Sequence, residues 1–316
     1  MRRRNPGSWV FILGLTSMAV MGSAYGERAD ENIVVVAEAV NPDPARLPTI
    51  RVVREKLWGQ YYPIVEASFP DAPGFTCSSW CYEAEVDFVD AKAIENGAME
   101  MRHRDKHHPQ MIVITTITPA PGATLFDARV EQDKESHPSA ALPPSPPGLN
   151  LCWQLRHATE FASLPEKYPA FVKRCFIFTE KGQTFLLDTK RINIPVQPDD
   201  HEYNNPPWVQ SYSSMHVPVP VTAPTAWAGN SPDRFTTPVI GVVSRDTKYL
   251  AAIANDTADY MAQAWHDCMH NNPKWSPEGA PAGERRWRVG VYVMENDPQV
   301  LLKRIAKDFP GLLPNS

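Results

Sequence analysis

Apolar and polar residues alternate with a period of two along much of this chain. From Trp80 to Asp90, the residues Tyr82, Ala84, Val86 and Phe88 fall on one side, and Glu83, Glu85 and Asp87 on the other. That period marks a strand with one face buried. Met111–Thr118 and Gly122–Val130 read as a strand pair joined through a Pro-Ala-Pro-Gly turn. Phe171–Glu180 and Gln183–Thr189 read as another pair, turning at Lys181-Gly182. Pro238–Val243, Lys248–Ala254, Ala258–His266 and Arg285–Glu295 complete the set, the last with Trp287, Val289, Val291 and Val293 on one face. A period of 3.6 is rare. It is clearest at the C-terminus, where Leu301, Ile305 and Phe309 form one stripe. Asp297 caps that segment, Pro298 suits its first turn, and Pro310-Gly311 stops it.

Many antiparallel strands and few helices predict a mainly β protein: a large antiparallel two-sheet sandwich with a C-terminal helix lying across the end of the sheets. No fixed-period repeat suggests a propeller. The 32 prolines cluster. Residues 136–148 read as an exposed connection, because proline cannot pair within a central strand. Residues 195–238 read as a long proline-stiffened loop whose aromatics could wall a pocket.

The N-terminus departs from this pattern. Arg2, Arg3 and Arg4 precede an apolar run from Trp9 to Met21, and small residues follow at Gly22, Ser23, Ala24 and Gly26. This is the layout of a cleavable secretory signal over residues 1–26, leaving a single domain over 27–316 that is secreted or periplasmic. The run is short for a span of about 20 residues, and no later stretch is long and apolar enough, so no membrane span is expected after cleavage. The whole chain carries a net charge of −5, and the segment contributes three arginines and no acid. The exported part is therefore more acidic still, which argues against a nucleic-acid partner. Five cysteines, Cys77, Cys81, Cys152, Cys175 and Cys268, leave at least one unpaired within the chain. Cys77 with Cys81, and Cys152 with Cys175 if their strands are neighbours, are the pairings to consider.

Four clusters could carry chemistry. In Trp265-His266-Asp267-Cys268-Met269-His270, the residues His266, Cys268 and His270 would point one way on a strand. Imidazole and thiolate suit Zn or Cu. Alternate positions lie about 7 Å apart, however, so one divalent metal would need a bent strand. In Met101–Pro109, His103, Asp105 and His107 alternate with Arg102, Arg104 and Lys106. This reads as a solvated edge, or as a cationic lip on which Arg102 and His103 hold carboxylate or sulfate. In Cys152–His157, Gln154 and Arg156 share a face. In Asn204–Tyr212, Trp208, Gln210 and Tyr212 share a side, and stacking aromatics with polar neighbours suit a sugar. The sequence has no nucleophile elbow, phosphate loop, dinucleotide fingerprint or His-Glu-x-x-His helix.

Two stretches resemble a known architecture. Gly97–Val130, with its charged strand and Ile-Thr-Thr-Ile-Thr-Pro-Ala-Pro-Gly strand and turn, is similar to the early strands of galactose-mutarotase-like supersandwich proteins. Tyr249–Phe309, through Cys268–Pro273, Ala282-Gly283-Glu284 and the final strand and helix, resembles the closing part of uncharacterised secreted bacterial proteins of that type. The resemblance implies a supersandwich and a link to carbohydrate. The His and Glu motifs of the mutarotases are not recognisable, so epimerase activity is not implied. The expected partner is a poly- or oligosaccharide. The first expectation is a lyase or hydrolase of an anionic polysaccharide. His270, His266 or Tyr212 would serve as base, Arg156 or Arg102 would hold the carboxylate, and Trp208, Gln210, Gln154 and His103 would contact the chain. Its base, His270, would sit beside Trp208 or Tyr212 in one cleft. The rivals are a non-catalytic glycan-binding or scaffold protein, and a metal-dependent enzyme built on His266, Cys268 and His270.

Overall fold

A strand with alternating apolar residues buries one face only when a second layer covers it. In the computed structural model that layer is another sheet. The structure describes residues 33–57, 60–70, 76–81, 86–134, 151–154, 161, 168–191, 210–217, 229–263, 268–273 and 285–313. Within them the chain forms a mainly β, two-sheet sandwich with nine strands in each sheet.

The N-terminal half supplies two four-stranded meanders. The first is β1 (Ile33–Glu38), β2 (Thr49–Leu57), β3 (Gln60–Ser68) and β4 (Thr76–Cys81), in sheet A. The second is β5 (Val86–Ala93), β6 (Met99–Asp105), β7 (Met111–Ala120) and β8 (Ala123–Gln132), in sheet B. The later strands extend both sheets. To sheet A they add β9 (Leu151–Gln154), β12 (Gln210–Ser213), β13 (Gly229–Asn230), β16 (Tyr260–Gln263) and β17 (Cys268–His270). To sheet B they add β10 (Cys175–Thr179), β11 (Gly182–Phe185), β14 (Thr237–Val243), β15 (Tyr249–Asn255) and β18 (Arg286–Glu295). The halves join where β9 pairs with β4 and where β18 pairs with β8. Every pairing of named strands is antiparallel except β12 with β13.

The inward rows form one apolar core. Ile50, Val52 and Val65 of sheet A meet Met101, Val113, Phe126, Val289 and Val291 of sheet B, while Trp153, Tyr212 and Met269 close the later half. Trp153 meets Phe126 edge-on across the two sheets, their ring centres 5.1 Å apart. A second cluster covers part of the outer face of sheet B. There Leu301, Ile305 and Phe309 of α2 (Pro298–Asp308) and its C-terminal cap lie on Phe176, Val239, Leu250, Ala252 and Tyr292. Gly241 and Gly290 leave room for this layer, since a Cβ at either would strike the ring of Phe176 or Tyr292. The cap of α2 forms as its sequence predicts: Asp297 Oδ1 accepts the N–H groups of Gln299, at 2.9 Å, and Val300, at 3.1 Å. The helix lies on a sheet face rather than across the sheet ends, because the outward residues of β10, β14 and β15 are themselves apolar.

Several segments differ from the pattern-based reading. Trp80–Asp90 is not one strand. Its first part belongs to β4 in sheet A and its last to β5 in sheet B, so the chain changes sheets between them. Phe171–Arg174 closes a short helix, α1 (Tyr168–Arg174), that runs directly into β10. The stretch 195–238 is not one loop, because proline-free Gln210–Ser213 pairs with β16 and adds a strand. Ala258–His266 does not continue as a strand into His270: Ala262 opposes His270, so the chain reverses between β16 and β17. The stretch 136–148 lies outside the described residues. Among the described residues, no helix is long and apolar enough to cross a membrane.

A pair of asparagines ties the sheets together where β17 ends. Asn271 Nδ2 donates to Pro238 O, at 3.0 Å, and to Ile253 O, at 2.9 Å, while Asn255 Nδ2 donates to Asn271 O at 3.0 Å. All three partners lie in or beside sheet B. Replacing Asn271 by Ala removes both side-chain bonds between the sheets, at about 0.5–1.5 kcal/mol each. Asn271→Ala should therefore lower the urea midpoint by an amount worth about 1–3 kcal/mol with an unchanged slope. A loss under about 0.5 kcal/mol would show that the asparagine does not clamp the sheets.

Candidate functional site

The pleat decides which candidate side chains reach solvent. In sheet A, Met261 and Met269 point into the core, so Ala262 and His270 point outward. Tyr212 opposes Met261 and points inward with it. His270 and Tyr212 therefore lie on opposite faces of one sheet and share no cleft. Gln210, on the same row as Tyr212, is also fully buried. His266, Arg156 and Trp208, together with the side chains of Gln154 and Cys268, lie outside what is described. Among the described residues no group of His, Cys, Asp or Glu could hold a metal ion. Of the His266, Cys268 and His270 set, only the His270 side chain lies within the described residues.

Tyr212 has a structural environment. Thr189 Oγ1 donates its proton to Leu186 O at 2.7 Å, so it receives the Tyr212 hydroxyl proton across 3.0 Å. Burial pushes the Tyr212 phenol up to about 12, against the nearby Arg191 charge that favours its ionisation. A phenol raised this far is a poor base near neutral pH. Cys175 is a buried free thiol in β10, and burial pushes it up as well. Cys152 lies in β9 of the other sheet, so the conditional pairing of Cys152 with Cys175 does not form.

The charged run on β6 divides in two. His103 and Asp105 face inward and are buried, while Arg102 and Arg104 face outward. The run read as a solvated edge because seven ionisable residues, Arg102 to His108, follow one another, but within β6 the pleat buries every second one. Asp105 is satisfied by the N–H groups of His107, at 2.7 Å, and His108, at 3.0 Å. The imidazole of His103 is 1% exposed, and neither ring nitrogen has a hydrogen-bond partner. It is no part of a cationic lip.

Arg102 opens a different arrangement. It opposes Ile114 of β7, which opposes Arg129 of β8, which opposes Arg286 of β18. Three guanidinium groups thus lie on one register line across the outer face of sheet B. Like charges directly opposite destabilise a sheet unless they are compensated. Carboxylates do this from neighbouring positions. Arg129 Nε meets Glu131 at 2.6 Å, Arg286 Nη2 meets Asp127 at 2.7 Å, and Arg102 Nη1 is 3.8 Å from Asp90. The side chains of Arg102, Arg129 and Arg286 stay 38%, 44% and 52% exposed. Next along β18, Arg288 pairs with Asp256 at 2.7 Å and borders an open hollow with Pro310, Gly311 and Leu312. The face is a lattice of alternating guanidinium and carboxylate over Ile112 and Ile114, which it buries. Arg129 and Arg286 were not singled out in the sequence. The available signal was the alternation of each with apolar neighbours, and it becomes informative only once the register aligns the strands.

The chain matches no protein-family model and no curated protein.

Raising the Tyr212 phenol from 10.0 to about 12 has a definite sign. Above pH 10 the unfolded phenol loses its proton while the folded one keeps it, so stability falls as pH rises from 10 towards 12. Tyr212→Phe should cost about 0.5–1.5 kcal/mol near neutral pH and flatten part of that alkaline loss. Denaturant melts at pH 7, 10 and 11 on both proteins measure this. An unchanged alkaline slope in the variant would place the phenol in solvent.

Proposed function

We propose that this is an exported, non-catalytic β-sandwich that recognises an anionic polysaccharide on the outer face of sheet B. The observation that carries the reading is the aligned Arg102–Arg129–Arg286 row with its flanking carboxylates. A guanidinium presents five N–H donors, and one ion pair leaves several for a second anion. Arginine matches the geometry of carboxylate and sulfate. The interleaved Asp127, Glu131 and Asp90 accept hydrogen bonds, which sugar hydroxyls supply. Adjacent strands are about 4.8 Å apart, so the row offers anchoring points across several strands to an extended polymer.

The enzymatic reading draws less support. Tyr212 is in the core, His270 lies on the far side of sheet A from it, and Arg102 sits among arginines and carboxylates on the other sheet. The resemblance to supersandwich proteins and the N-terminal signal pattern agree with a carbohydrate ligand met outside the cytoplasm.

The test is titration with a soluble polyuronate, a sulfated polysaccharide and a neutral glucan. The two anionic polymers should bind and the neutral one should not, and binding should weaken as salt screens the charges. Removing all three arginines in Arg102→Ala, Arg129→Ala, Arg286→Ala should weaken binding at least about tenfold, the equivalent of about 1.4 kcal/mol, without loss of the folded β spectrum. Undiminished binding by the triple variant would refute the site, and cleavage of the polymer would refute the non-catalytic reading.

A further inference from the structure

The buried His103 is the group that this reading does not use. It sits on the inward row of β6, directly opposite Phe88 of β5 and Val113 of β7. Its ring meets Phe88 edge-on at 5.7 Å. The inward groups around it are apolar: Val86 and Ala91 on β5, Met111 and Val113 on β7, and Ile50 and Val52 across the core on β2. Thr115 is the neutral polar exception on β7. The charged residues on these rows are Asp105, two positions along β6, and Arg54, which carries the row of β2 out into solvent. The Asp105 carboxylate is occupied by the two backbone N–H groups and by His108 Nδ1, at 3.3 Å. A proton on His103 would therefore meet no acceptor where the ring now lies.

The strand covering His103 is weakly held. Among the described residues β5 is the edge of sheet B and pairs within the sheet with β6 alone; across the core it meets β1, whose charged residue, Glu38, is exposed to solvent. Its ladder is interrupted between Phe88 and Asp90, next to the Phe88–His103 pair. Its ion pairs, Lys92–Glu100, Asp90–Arg102 and Asp87–Lys106, all lie at the surface. Such pairs contribute little. β5 also carries Asp90 and Asp87, the carboxylates that neutralise Arg102 and Lys106.

We propose that β5 is an acid-released edge: protonation of His103 detaches the strand, withdraws Asp90 from Arg102 and strengthens the arginine row for an anionic polymer. This rests on the arginine face being the binding face. Burial holds the His103 imidazole at about 4, against 6.5 when free. The sign follows. Above pH 6.5 the closed edge keeps its full stability, and it loses that stability as pH falls from 6.5 towards 4.

Hydrogen exchange of residues 86–93, read as protection factors so that the intrinsic rate cancels, tests the release without any ligand. Linkage predicts protection about 20-fold lower at pH 5 than at pH 7, while β15, in the middle of the sheet, changes far less. His103→Leu and His103→Met, two apolar replacements in case one fails to fold, should both remove the pH response. Equal protection at both pH values, or a response that persists in the variants, would overturn the proposal. Affinity for a soluble polyuronate should rise about tenfold between pH 7 and pH 5 in the unaltered protein and stay flat in the variants. Release of β5 with a flat affinity would overturn the coupling. Release with no binding at either pH would instead overturn the binding face on which the proposal depends.

Discussion

The pleat of the four strands β6, β7, β8 and β18 is the constraint on which the rest depends. Successive side chains on a strand point to opposite faces, and a second sheet covers one of those faces. The row Met101, Thr115, Ala128 and Trp287 is therefore committed to the core. The adjacent positions Arg102, Ile114, Arg129 and Arg286 are thereby aligned on the outside. A slip of one residue in β6, β8 or β18 would bury an arginine and expose an apolar residue. The large cost of burying an unpaired charge keeps the register fixed. The arginine row is thus a consequence of the packing of the core, and its spacing is as rigid as the sheet.

The same rule explains where the molecule is firm and where it yields. β18, the last strand in the chain, sits between β15 and β8 and locks the two halves of sheet B. Its inner face is core and part of its outer face lies under α2. β5 has less of this support. Its inner side reaches the core and β1 across it, but among the described residues it has one neighbour within its sheet, an interrupted ladder and a largely exposed surface, and it lies over a buried imidazole without a partner. Such a difference in local stability between strands of one sheet is what the proposed acid response of the arginine face rests on.

The periodic parts of the fold were legible in the sequence. Met111–Ala120, Ala123–Gln132, Tyr249–Asn255 and Arg286–Glu295 match their alternating runs to within two residues, and Asp297 caps α2 as read. These signals are local, and local geometry decides them. Partner choice is not local. Alternation over Trp80–Asp90 looks the same whether the strand stays in one sheet or changes sheets, and it changes. The Trp265–His270 cluster suggested ligands on one strand, but His270 opposes Ala262 and Met269 opposes Trp153, pairings between strands that no local pattern reveals. On the Arg102–Asp105 run, composition suggested solvent, while the pleat buried His103 and Asp105. Arg102 was singled out in the sequence as a candidate anion contact. Arg129 and Arg286 were not, because their alignment exists only across strands far apart in sequence.

The most direct measurement is an arginine footprint. The protein would be treated with phenylglyoxal, with and without a saturating soluble polyuronate, and modification read peptide by peptide. The exposed row should be modified readily in the free protein. With the polymer bound, Arg102, Arg129 and Arg286 should be protected together, and arginines away from this face, such as Arg46 and Arg54, should remain as reactive as before. Protection of other arginines with this row left reactive, or no protection under conditions where the polymer is shown to bind, would contradict a binding face on the outside of sheet B.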